Sequence, residues 1–334
     1  MRAGPPRISI GLPVYNGEQF ICQTLDSILA QTFQDFELII ADNASTDATL
    51  EICKQYVARD PRIILLESDD NHGAAWNYNR IFDLARGEFF KWAAADDICA
   101  PEFLQRCAEI LASQPDIVLC YPKTVIIDET GQLVGEYPDQ LSLSSLSAPE
   151  RLKQFHERFR SLLECNAIFG LIRSSSLRHT RLIGRFTGSD SVLLGELALL
   201  GQFYEVPEPL FNRRDHSQTS VRSHPSAYDR AAWFDPKNRG KISSPQWRLF
   251  FEFLKSIARS RISMVEKVHC YMLMGRWLGW YRPRLQQELE RWIILRVYQL
   301  PGPLFRAFRW GWKFIGGLRH ASGSSSTNID KKTF

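Results

Sequence analysis

The chain has 334 residues, 44% hydrophobic and 23% charged, with a net charge of +4; that length buries a full core and suits one large domain or about two. Seven cysteines with no Cys-x-x-Cys pair argue against a disulfide framework and for core thiols in a reducing compartment. No window holds 18 uncharged apolar residues, so no transmembrane helix is expected, and the polar, Pro-rich Met1–Arg7 stretch gives no secretory signal.

In chain order, Arg7–Val14 reads as a first strand and Tyr15–Glu18 as a turn, with Asn16 and Gln19 spaced as a capping box for the next helix. That helix carries Ile21, Leu25, Ile28 and Leu29 on one face. Phe36–Ala41 is apolar on both sides, as buried parallel strands are, and runs into the polar loop Asp42–Asp47. A helix with Leu50, Cys53 and Val57 inward follows, then a strand over 62–66, the loop Glu67–Gly73 and a helix ended by Gly87. Phe89–Trp92 begins a fourth strand that passes through three alanines into Asp96 and Asp97, with Pro101 set for the first turn of another helix. Two carboxylates at a strand end need compensation. A divalent cation supplies it, and capping of the following helix is the alternative.

Asp116–Tyr121 reads as a fifth strand, Val125–Glu136 as a hairpin, 149–164 as a helix and Asn166–Ile172 as a strand holding Gly170, a sign of close backbone or ligand approach. Gly188–Asp190 opens a leucine-rich helix, Phe203–Phe211 is a short strand broken by prolines, and Asn212–Ser217 is a dense charge cluster. Alternating strands and helices predict an α/β protein with a mostly parallel sheet flanked by helices. Ligands of such sheets bind beyond the carboxyl ends of the strands, where four of these polar loops fall. Neither a Gly-x-Gly-x-x-Gly nor a Walker A sequence is present, which disfavours dinucleotide binding and P-loop chemistry.

From Gln246 onward the pattern is helical, aromatic and basic. Residues 248–320 hold 14 Lys and Arg against 4 Asp and Glu, leaving 1–247 net acidic. Two readings of this end stand side by side: amphipathic helices packed on the catalytic domain, and a peripheral contact with an anionic membrane. The acidic body argues against nucleic acid. The last 14 residues read as a disordered tail.

The order of these motifs resembles the family 2 glycosyltransferases, of GT-A fold, over about residues 7–220. The resemblance rests on Ile8–Glu18, Gln31–Asp47, Asn71-x-Gly73 with Asn79, Ala95-Asp96-Asp97, Gly188-Ser189-Asp190, Val206–Leu210 and Arg214-x-His216. It implies a GT-A catalytic domain over 1–220 (nucleotide-binding half 1–121, acceptor half 122–220), a basic, Trp-rich helical extension over 221–320 and a tail over 321–334. Pro13, Tyr15, Glu18, Asp42, Asn71 and Asp96 would bind the nucleotide-sugar, with Asp42 on the base and Asp96 on the ribose side. Asp97 would hold Mn²⁺ or Mg²⁺, with His216 at the metal or diphosphate, and Asp190 would be the catalytic base. The implied reaction is inverting sugar transfer from a nucleoside-diphosphate sugar to a hydroxyl of a saccharide, a lipid-linked or another acceptor, in cell-surface polysaccharide or glycolipid synthesis. The implied location is cytoplasmic. Ala94 stands where many members have another Asp, Tyr78 where the family often has Arg, and Lys91 lies in the strand. The alternatives are a catalytically degenerate nucleotide-sugar-binding protein and a sugar nucleotidyltransferase. Against the latter, the loop after the first strand lacks the Gly-rich, basic character it needs.

Overall fold

A computed structural model describes residues 4–138, 140–160, 166–241 and 244–298. Its elements in order are β1 (Ile8–Val14), α1 (Ile21–Leu29), β2 (Phe36–Asp42), α2 (Thr49–Arg59), β3 (Ile63–Leu66), α3 (Ala74–Leu84), β4 (Phe89–Trp92), β5 (Ile98–Cys99), α4 (Phe103–Ser113), β6 (Ile117–Ile127) and β7 (Leu133–Tyr137). Then come α5 (Ala148–Phe159), a 3₁₀ turn (Asn166–Phe169), β8 (Leu171–Arg173), α6 (Ser174–Leu177), α7 (Ser189–Leu200), β9 (Gln202–Arg214), α8 (Ser220–Ser223), α9 (Ala227–Phe234), a second 3₁₀ turn (Pro236–Asn238), α10 (Pro245–Arg259) and α11 (Met264–Tyr298). Two compact units divide the chain, Met1–Trp280 and Tyr281–Phe334, and the sheet lies in the first. The part of the expected extension beyond residue 298, and the tail over 321–334, lie outside the described residues.

The nine strands form one sheet in the order β3-β2-β1-β4-β8-β6-β9-β5, with β7 paired to β6. Its first half is parallel: β1 pairs with β2 and β4, and β2 with β3. Beyond β4 it is mixed, because β8 runs antiparallel to both β4 and β6 while β9 runs parallel to β6. Every residue of β1 and β2 is buried, as expected of strands covered by helices on both faces. Ile8, Leu12, Leu25, Phe36, Leu38, Phe89 and Phe103 belong to the core under this half.

Several expectations change. Helix α1 begins at Ile21 without a side-chain cap, because the Asn16 side chain is engaged across the loop instead. Pro101 precedes α4 by two residues and does not enter its first turn. Helix α3 ends at Leu84, so Gly87 lies in the linker to β4. Residues 166–169 form a 3₁₀ turn, leaving only Leu171–Arg173 as strand. Strand β9 runs on through Pro207 and Pro209 because it absorbs them as register shifts against Pro122 and Lys123.

Gly170 marks a close backbone approach. A Cβ there would stand 2.7 Å from the Cys120 carbonyl oxygen and 2.8 Å from Tyr121 Cβ. Backbone cannot retreat as a flexible side chain can. Gly170→Ala is therefore expected to lower unfolding free energy by about 1–3 kcal/mol, read by urea denaturation; an unchanged midpoint would refute the contact.

Candidate active site

The carboxyl ends of β1, β2 and β4 and the start of α3 converge on one cavity of about 1190 Å³. Pro13, Tyr15, Asn71, Asp96, Asp97 and His216 all line it. Asp42, Glu18 and Asp190 are not among its lining residues.

The loops that follow β1, β2 and β3 are fastened to one another. Asn16, at a φ of 52°, accepts the Thr46 N–H at 2.8 Å; Asn tolerates this left-handed conformation better than most residues. Gly17 N–H donates to Thr49 Oγ1 at 2.8 Å. Glu18 Oε2 accepts the Ala48 N–H at 2.8 Å, at the start of α2, so its carboxylate braces the second loop. Asn43 Nδ2 donates to Asn71 Oδ1 at 3.0 Å, and the same oxygen accepts the Gly73 N–H at 2.9 Å. Asp42 is buried; its Oδ2 accepts the Ser45 N–H at 3.0 Å, while its Oδ1 has no hydrogen-bond partner. A buried carboxylate oxygen left unpaired is costly unless a ligand donor completes it.

Opposite these loops, the end of β9 closes over the Asp pair. Arg214, 1% exposed, donates its backbone N–H to Asp97 Oδ1 at 2.9 Å. Its guanidinium reaches the Asp96 carbonyl at 2.9 Å, the Asp128 and Glu129 carbonyls at 3.0 and 3.1 Å, and Gln23 Oε1 at 2.6 Å. His216 is buried, its Nε2 2.9 Å from Asp96 Oδ2, with the Phe20 ring 4.7 Å away. Burial first, and the neighbouring Asp96 charge second, push the Asp97 carboxyl above the usual range, while the Arg214 N–H, Arg213 and Lys91 pull it back. Tyr78, at the start of the second turn of α3, has its phenol pushed up by burial and by Asp96, Asp97 and Asp190 together. Asp190 thus belongs to the same electrostatic neighbourhood, in the first turn of α7 after Gly188.

Asp96, Asp97 and His216 offer hard oxygens and an imidazole, and a paired, desolvated carboxylate set fits a divalent cation. Among the described residues no group of three or more His, Cys, Asp or Glu side chains is arranged to hold a metal by itself.

Sequence reasoning did not anticipate the Arg214 network, the place of Tyr78 among three carboxylates, or the wall formed by α8, α9 and the following 3₁₀ turn. The last had a readable signal: Tyr228 and Ala232, and Asp229 and Trp233, are paired at i, i+4.

The sequence model described as Glycosyl transferase family 2 matches residues 9–181. An uncharacterized glycosyltransferase of Methanocaldococcus jannaschii is 32% identical over 134 residues, covering 40% of this chain and 46% of that protein. An uncharacterized protein of Mycobacterium bovis is 34% identical over 296 residues, covering 88% of this chain and 75% of that one. The chain spans slightly under half the length of the Methanocaldococcus relative and of Bacillus subtilis EpsE. Among solved structures, Staphylococcus aureus TarS 1–349 in complex with UDP-GlcNAc superposes with a TM-score of 0.60 at 15% identity, covering 89% of this chain and 82% of that one, a likeness of fold.

Lysine at 214 keeps the charge but lacks the planar fork that reaches four acceptors. Arg214→Lys should lower unfolding free energy by roughly 2–4 kcal/mol, since hydrogen bonds to a charged group contribute about 1.5–3 kcal/mol each. Chemical denaturation checks this, and a loss below half a kcal/mol would show the network to be incidental.

Proposed function

The chain belongs to glycosyl transferase family 2, and on that premise we propose that it moves a sugar from a nucleoside-diphosphate sugar to an acceptor hydroxyl with inversion at the anomeric carbon. The observation that carries the proposal is the single cavity at the carboxyl ends of β1, β2 and β4 onto which Tyr15, Asn71, Asp96, Asp97 and His216 open. The complex of TarS with UDP-GlcNAc adds that a protein of this fold takes such a donor.

In this reading the unpartnered Asp42 Oδ1 accepts the imide N–H of a pyrimidine base. Pro13, Tyr15 and Asn71 shape the nucleotide side, and Asp96, held by His216, faces the ribose. Asp97 and Asp96, with His216, are the residues that would hold Mn²⁺ or Mg²⁺. Bound there, the cation supplies Lewis-acid neutralisation of the charge that builds on the leaving diphosphate. With Ala94 where a further carboxylate is common in the family, Asp97 carries most of that binding. Arg214 fixes Asp97 from behind by its backbone N–H.

Asp190 takes the acceptor proton as the new bond forms. It stands in the first turn of α7, near enough to Tyr78 for its charge to be felt there. A single displacement needs no second nucleophile and inverts the anomeric centre. Glu18 acts at one remove, bracing the loop that carries Asp42.

A peripheral contact with an anionic membrane has its own support. On α11, Met264, Val265, Val268, Tyr271 and Met272 are exposed along one face, while Cys270, Leu273, Met274 and Trp277 are buried on the other. Lys267 and Arg276 flank the apolar face, which matches a negatively charged bilayer surface.

Assays of UDP-, GDP- and dTDP-sugars with and without Mn²⁺ test the reaction. Asp190→Asn should keep donor binding and lose about 10²–10⁴ in transfer rate; parallel loss of donor binding would make Asp190 a structural cap. Asp97→Ala retaining full metal-dependent turnover would overturn the metal assignment. Nucleotide binding without turnover on any acceptor would favour the degenerate binding protein. For the membrane contact, sedimentation with phosphatidylserine vesicles should fall at least tenfold in Val265→Asp/Val268→Asp; equal sedimentation of variant and parent would refute it.

A further inference from the structure

The cavity extends beyond the residues that the donor reading uses. Its outer wall comes from α9, which lies outside the stretch 9–181 matched by the family. One face of this helix carries Tyr228, Asp229, Ala232 and Trp233, at i, i+1, i+4 and i+5, and all four line the cavity. Ala231, pointing elsewhere, is buried. Trp233 is half-buried, with the Phe234 ring 5.0 Å away and edge-on to it and the His224 ring at 6.1 Å. The indole is therefore buttressed by neighbouring rings, yet still borders open space. At the helix start Ser226 Oγ accepts the Asp229 N–H at 3.0 Å and donates to Asp229 Oδ2 at 2.5 Å, fixing that carboxylate at the rim.

This wall is keyed to both sides of the site. Towards the donor loops it presses on Gly73, whose φ is +86°; a Cβ there would meet Pro236 Cδ at 2.7 Å and the Phe234 carbonyl oxygen at 2.8 Å. Towards the segment that leads into Asp190, Asn238 Nδ2 donates to the Arg185 carbonyl at 3.0 Å, and Arg185 lies 3.6 Å from Asp235. Such a double anchorage holds α9 at a set distance from the donor side and from the α7 end that carries Asp190.

We propose that the Trp233–Asp229 face of α9 is the acceptor subsite and that it takes a pyranose. A pyranose ring has a face of C–H bonds that stacks on an aromatic plane, and equatorial hydroxyls that donate to a carboxylate at the ring edge. An aromatic plane with a carboxylate one helical turn away offers both. An acyclic polyol has hydroxyls but no such apolar face, so the Trp233 plane selects for ring acceptors. The assignment of this face to the acceptor rests on the glycosyltransferase reading above; its affinity for pyranosides does not.

The test uses the full chain and saturation-transfer NMR with p-nitrophenyl and methyl glucopyranosides and N-acetylglucosaminides, with ribitol as the ring-free control and UDP, GDP and dTDP as donor-side probes. The parent protein should bind at least one methyl pyranoside and not ribitol. Trp233→Ala should weaken that binding at least tenfold while leaving nucleotide affinity within twofold, and Trp233→Phe should retain part of it. Ala232→Trp, which fills the cavity from the same face, should block saccharide binding by a route that keeps the Trp233 packing. Pyranoside binding equal in parent, Trp233→Ala and Ala232→Trp, or absent from the parent, overturns the subsite. Nucleotide affinity falling with Trp233→Ala would instead place the indole on the donor and overturns it too. Pyranoside binding that depends on Trp233, in a protein that binds none of UDP, GDP and dTDP, would leave a pyranose-binding face standing and sink the transferase reading and the acceptor role with it.

Discussion

The site depends on how the chain ends β9. Arg214 is buried there with its guanidinium spread over the Asp96 carbonyl, two carbonyls of the β6–β7 turn and Gln23 of α1. A guanidinium is always charged and has five donors in one plane, so burying it is tolerable only where several acceptors converge. Three segments distant in sequence must therefore sit where the fork can reach them. The same residue's N–H fixes Asp97. Two residues on, just past the end of β9, His216 also reaches the Asp pair and meets Asp96. One buried cation thus orders both acids and the imidazole.

Behind the pair lies a second buried cation. Lys91, in β4, donates to the Trp92 and Phe169 carbonyls and has the Phe103 ring 4.4 Å from its ammonium. Among the described residues no carboxylate forms an ion pair with it; its charge acts on Asp97 at longer range. The segment beyond β4 therefore brings two carboxylates close to two buried cations. Such an arrangement favours a site over stability, since an apolar strand end would fold with less desolvation. Ala94 fits the same view, because a third carboxylate here would add repulsion without a further fixed cation to meet it.

The sheet was legible because its strands are apolar on both faces and its helices keep a 3.6-residue period. Asp42 was legible because it ends such a strand, and Asp96 and Asp97 because they follow one closely, although β4 stops at Trp92 and leaves them in the turn before β5. What sequence could not show is which polar groups use each other up. Glu18 sits in the right loop, yet its carboxylate is occupied by the Ala48 N–H, 30 residues on. Asn16 looked like a helix cap and serves the second loop instead, through a backbone turn at positive φ that no local pattern reveals. His216 lies in a charged stretch, yet just past the end of β9 it is buried against Asp96 and Phe20. Each of these outcomes is a long-range hydrogen bond, fixed only once the sheet order brings the loops together.

The two sides of the cavity come from differently constrained parts of the chain. One side is the parallel half of the sheet, where β1 and β2 are packed on both faces and a one-residue slip would carry every side chain to the opposite face of the core. The outer wall is a short helix held by a few contacts at Gly73 and Arg185. Residues on its cavity face can change without disturbing any strand. Gly73 is where the two meet, because its missing side chain lets the α9 segment rest directly on the loop that carries Asn71. A substitution there would move both walls together. The two walls of the cavity are in that sense mechanically joined at one glycine, while the residues that line each wall remain on separate elements.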